Sequence, residues 1–233
     1  MISGKRVIAA MLTALMTVTF TANTAVSVYA TGVTATENAQ TIDAQSTDAQ
    51  ALTPEEQKAQ ELQQVYDMPV ESNGYKDWPQ GPGTYGEAGI VMEVGTGAIL
   101  YAKNIDAHEY PASITKVLTA LVALENGQLT DNVTFSHDSV AFLQRGDSSV
   151  GLKEGNVITL DQAMHAMLLA SANEAAYAIG ESVGVNAGHD YNWFIEQMNS
   201  RCKELGGENS NFANTNGLHD PNHYTCARDM ALI

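Results

Sequence analysis

The sequence predicts one mixed domain of the α/β (α+β) class, a helical lobe beside a short antiparallel hairpin. Two strand-like runs, Ala88-Gly89-Ile90-Val91-Met92-Glu93-Val94 and Ala98-Ile99-Leu100-Tyr101-Ala102-Lys103, flank Gly95-Thr96-Gly97, which spells a β-hairpin. Apolar runs at 117–125 and 160–169 have the length and the flanking signals of helices. From residue 85 onward about 150 residues remain, enough to enclose one core.

Taken in order, the chain opens with Lys5 and Arg6 before an apolar run at 7–20, and Val28 and Ala30 are compact residues suited to a cleavage site. Residues 1–30 therefore read as an export signal cut after Ala30. The run is shorter than the ~20 residues that cross a bilayer, which argues against a retained membrane helix. No cysteine near the cut would take a lipid anchor. Residues 31–84 read as a disordered tether and lead-in. Thr, Ala, Gln and Asp dominate to about residue 52 without apolar periodicity, too little to offset chain entropy. Residues 54–66 could form at best a marginal helix with a thin face of Leu62 and Val65, and 78–83 is turn chemistry. The ordered domain is expected at 85–233. The formal charge is −16, and the leader holds Lys5 and Arg6 without an acid, which leaves the remainder at −18. Such a surface repels phosphate backbones, so no nucleic-acid partner is expected.

After the hairpin, Pro111 suits a helix entry and Gly127 a stop, so a helix lies between them. An extended piece near 133–135, a short helix at 139–143 and a loop at 146–155 follow. Thr159 then caps a helix at 160–169 that is apolar nearly all round and should be buried. Further helices are expected at 175–182, stopped at Gly184, at 192–205, and after Thr225.

Chemistry concentrates at two places. Ser113 and Lys116 are three apart at the start of the first helix, so their side chains share a face and the amine can reach the hydroxyl. A serine is a weak nucleophile until a base removes its proton, and a lysine can do so only when neutral. Burial and the positive helix end both lower its pKa. The plainer alternative makes Ser113 an N-cap and Lys116 a surface charge. The same spacing at Ser200 and Lys203, on a polar-faced helix, is assigned no chemistry. The second place is Ser171-Ala172-Asn173, between two helices. Here a hydroxyl can relay a proton to a leaving amine while a carboxamide holds a peptide group by donor and acceptor together. Against this, Ser171 and Glu174 also spell a capping box. His219 and His223 have zinc spacing, but Pro221 breaks the helix that spacing needs, so no metal is expected. Cys202 and Cys226 leave a disulfide open, because sequence does not reveal their separation.

Four separated blocks occur in order: Tyr110-Pro111-Ala112-Ser113-Ile114-Thr115-Lys116, Gly151-Leu152-Lys153-Glu154-Gly155, Leu169-Ala170-Ser171-Ala172-Asn173, and Asn216-Gly217-Leu218-His219-Asp220 with Asn222-His223-Tyr224. Together they resemble the serine-type D-alanyl-D-alanine carboxypeptidases, from about residue 78 to Ile233. The resemblance implies the penicillin-recognising serine transferase, or β-lactamase-like, fold and hydrolysis of the terminal D-Ala-D-Ala bond of peptidoglycan stem peptides in cell-wall remodelling. It also implies binding of β-lactams and a place outside the cytoplasm, at the cell wall or the outer membrane face. Carried over by motif, Ser113 is the nucleophile, Lys116 its base, Ser171 the proton relay and Asn173 the substrate-binding residue, with no cofactor. The family's Lys-Thr-Gly strand is missing here, so the expectation is an incomplete sheet, a domain cut short and an inactive chain. A peripheral membrane contact through a region after Ile233 is left open. One alternative is a class A β-lactamase, although Ala172 stands where that group has Asp, and Glu204 and Glu208 lack the pattern of its deacylating loop. The other is a non-catalytic wall-binding remnant.

Overall fold

The computed structural model describes residues 52–233. The expected export signal, its cleavage point and the tether before residue 52 lie outside them.

Within the described part, helix α2 (Thr115–Asn126) forms the centre of a helical lobe. It packs against α4 (Leu160–Leu169), α5 (Asn173–Asn186) and α6 (Tyr191–Glu204). The 3.6-residue period puts Leu118, Val122 and Ala123 on one buried stripe. They meet Phe135, Leu160, Met167, Ile179, Phe194, Met198 and Phe212 in a continuous core. A small antiparallel pair, β3 (Asn132–Thr134) with β4 (Val157–Thr159), brackets the short α3 (His137–Ala141). β4 carries no sequence signal beyond Val157 and Ile158, too short a run to separate from loop.

Several expected boundaries move. Thr159 caps α4 as anticipated, and Gln162 returns the bond to complete a capping box, yet α4 is not buried all round. Leu168 and Leu169 are exposed, because the helix presents one face to the core, that of Leu160, Ala163, Met164 and Met167. Gly184 does not stop α5, which runs on to Asn186. Its purpose is steric, since a Cβ there would lie 2.4 Å from the Asp190 carbonyl oxygen.

Beside the lobe, β1 (Gly89–Met92) pairs antiparallel with β2 (Ile99–Lys103) in a two-stranded sheet. Its turn is held by Glu93, whose carboxylate accepts from the N–H groups of Gly95 and Thr96. Helix α7 (Ala227–Leu232) packs on β1, and Arg228 grips Asp106 through Nε and Nη2 at 2.6 and 2.8 Å.

The domain boundary expected near residue 85 falls inside packed structure. Helix α1 (Pro54–Tyr66) forms with a Thr53–Glu56 capping box, though it buries no residue. Lys103, fully buried, donates from Nζ to the carbonyls of Val65 and Thr84 at 2.6 and 2.7 Å. Trp78 Nε1 donates to Leu100 O, and Ser72 is buried against Ala102. The lead-in is thus pinned to β2 by polar contacts that leave no apolar period to read.

Candidate active site

Ser113 lies in a 3₁₀ turn, Ala112–Ile114, that runs directly into α2, rather than in the first α-helical turn itself. Ala112 has φ 47°, in the left-handed region that a non-glycine residue enters only when neighbours force it. Gly217 supplies the constraint. Its φ is +84°, and a Cβ on it would sit 1.8 Å from the Ala112 carbonyl oxygen. The 213–218 loop therefore presses on the nucleophile turn at a point where only glycine fits.

The four residues singled out in the sequence converge. Lys116 Nζ donates to Ser113 Oγ at 3.1 Å, to Asn173 Oδ1 at 2.9 Å and to the Asn216 carbonyl at 2.6 Å. Ser171 Oγ donates to Ser113 Oγ at 2.8 Å. Lys116 is buried while Ser113 is exposed, so the base is inside and the hydroxyl faces solvent. Burial pulls the Lys116 pKa down to about 8, and the Glu174 carboxylate partly opposes that fall. An ammonium has three donors, and here each has an acceptor. When the proton is lost, Asn173 and Asn216 can keep two N–H groups occupied, which aims the lone pair at Ser113 Oγ.

Ser171 reaches Ser113 from a strained position, φ 55°, between α4 and α5. The capping-box alternative does not describe this junction. The residue before α5 is Ala172, with no side-chain cap, and Glu174 turns instead toward the 149–151 loop. Ser200 and Lys203, the decoy pair, lie exposed on α6, and Glu204 there pairs with Arg201 at 3.2 Å.

Two contributors were given no site role from the sequence, although both fall in its fourth block. One is the Asn216 carbonyl, a backbone atom that any residue carries. The other is His223, buried 108 residues from Thr115. Its Nδ1 accepts from Ala213 N at 3.0 Å, so the proton resides on Nε2, which donates to Thr115 Oγ1 at 2.8 Å. Burial lowers the His223 pKa to about 4, with Asp220 opposing. Both ring nitrogens are engaged, and His219 packs edge-on against Tyr110 instead of joining His223. Cys202 and Cys226 are both buried and unbridged, and burial raises both thiol pKa values. A cavity of about 760 Å³ flanks the site between β1, the 109–114 segment and α7.

A hairpin beside a helical lobe whose central helix is entered through the Ser113 turn places the chain among proteins with the penicillin-recognising serine transferase fold. Within it, the chain belongs to the D-alanyl-D-alanine carboxypeptidase family, whose model matches residues 79–233. It is 34% identical over 149 residues to the D-alanyl-D-alanine carboxypeptidase DacA of Haemophilus influenzae, covering 62% of this chain and 37% of that protein. DacF of Bacillus subtilis is 33% identical over 152 residues, covering 63% and 37%. The crystal structure of penicillin binding protein 5 from Haemophilus influenzae superposes with a TM-score of 0.59 at 32% identity, covering 66% of this chain and 45% of that one. The chain thus spans less than half the length of these relatives.

Proposed function

We propose that the protein is a serine-type carboxypeptidase that removes the terminal D-alanine from peptidoglycan stem peptides, exported and working at the cell wall. The observation that carries this reading is the hydrogen-bonded set of Ser113, Lys116, Ser171 and Asn173, with Lys116 lowered to about 8. Neutral Lys116 takes the Ser113 proton as Oγ attacks the penultimate carbonyl. The Ser113 N–H, at the start of the helical turn, stabilises the oxyanion. The C–N bond then breaks, and the proton passes through Ser171 to the departing amine. Asn173 holds the peptide group of the substrate. Water attacks the acyl-enzyme, gives its proton to Lys116, and the proton returns to Ser113. β-Lactams offer a carbonyl at the same place and acylate the same oxygen.

The test is acylation of the protein, purified from its source organism, by a fluorescent penicillin. Label located at Ser113 by peptide mass, lost in Ser113→Ala and kept in Ser200→Ala, is the expected result. Lys116→Ala should slow labelling by roughly 10²–10⁴, the usual worth of a positioned general base. Label that survives Ser113→Ala would overturn the reading. Rapid release of the adduct with catalytic hydrolysis of the drug would favour a β-lactamase instead.

A further inference from the structure

Glu174 takes no step in the scheme above, yet it is fully buried one residue beyond Asn173. Its Oε1 accepts from Ser149 Oγ at 2.7 Å, from Val150 N at 2.8 Å and from Gly151 N at 3.2 Å. Asn173 N donates back to Ser148 O at 2.9 Å. Residues 148–151 are exposed and carry no strand or helix, so these bonds are what lace them to the first turn of α5. The other carboxylate oxygen, Oε2, has no hydrogen-bond partner. A buried carboxylate with an unpaired oxygen is unfavourable, so the bonds gathered at Oε1 must offset its desolvation.

We propose that Glu174 is a positioning residue for the acyl transfer: it straps the 148–151 segment to the turn carrying Ser171 and Asn173, and so fixes how both face Ser113. The inference rests on the carboxypeptidase reading for its catalytic consequence, but the strap itself does not. A second consequence follows from charge. The groups facing Lys116 are Ser113 on its own segment, Asn173 and Glu174 from α5, and the Asn216 carbonyl from the 213–218 loop. Glu174 is the charged one among them, while His223, bonded to Thr115, stays neutral. Removing the carboxylate charge disfavours the ammonium, so the base form of Lys116 is reached at lower pH.

The experiment compares wild type, Glu174→Gln and Glu174→Ala in the whole protein. It reads amide hydrogen exchange at Val150 and Gly151 and the rate of penicillin acylation against pH. Glutamine keeps an acceptor oxygen, so protection should persist, the plateau rate should stay within a few-fold of wild type, and the acid limb should move to lower pH. Alanine should expose both amides and cut acylation tenfold or more. A folded alanine variant with unchanged protection and rate would overturn the proposal. If alanine does not fold, glutamine decides: an unmoved acid limb removes the charge role, and unprotected amides in wild type remove the strap. Wild type that takes no label at Ser113 sinks the carboxypeptidase reading, while the exchange data still judge the strap.

Discussion

The helical lobe and the hairpin treat their apolar residues in opposite ways. In the lobe, Leu118, Phe135, Leu160, Met167, Ile179, Phe194 and Met198 are sealed from solvent. In the hairpin, β1 has no buried residue, Val91 and Leu100 are partly in water, and Val94 at the turn is 94% exposed. What is buried on β2 is Ala102 and a lysine, Lys103, held by backbone carbonyls. The hydrogen bonds that set Ser113, Lys116, Ser171 and Asn173 run among α2, α5, the 3₁₀ turn that leads into α2 and the loops between helices. The cluster is therefore held chiefly from the lobe, because close-packed cores resist displacement and half-exposed two-stranded sheets do not.

The contrast makes the lobe, the buried histidine and the hairpin turn respond very differently to perturbation. Phe194→Ala, which empties a fully buried aromatic site on α6, should lower stability by about 3–5 kcal/mol in denaturant unfolding. A loss below about 1 kcal/mol would mean the lobe is loosely packed after all.

Acid should act next, through His223. Its folded pKa lies below the ordinary histidine value, so its neutral form stabilises the fold fully above about 6.5, and that stability is lost as pH falls through about 4. The size is on the order of 3 kcal/mol. Thermal midpoints followed from pH 7 to pH 3.5 should fall, and His223→Gln should flatten part of that dependence. An identical pH dependence in the variant would remove His223 as the cause.

The smallest effect belongs to the hairpin. Val94→Ser should change stability by no more than about 0.5 kcal/mol, as surface changes do. A change as large as that of Phe194→Ala would show that the hairpin turn is part of the cooperative core.

Local patterns in the chain were sufficient for the hairpin strands, for α2 between Pro111 and Gly127, for the Thr159 cap of α4, and for setting Ser113 within reach of Lys116, while Ser171-Ala172-Asn173 read locally as a capping box as readily as a site. Each is a signal confined to a few neighbouring residues, where periodicity, capping and i, i+3 spacing act directly. The tertiary structure alone decided the rest. The Asn216 carbonyl on Lys116, Gly217 against Ala112, His223 on Thr115 and Glu174 on the 149–151 loop join residues that are distant in sequence, and three of these contacts use backbone atoms common to every residue. The same holds for the lead-in, pinned by Lys103 and Trp78 to carbonyls. Polar contacts of this kind leave no periodic trace, so a single sequence names the groups that can react while packing determines which of them meet.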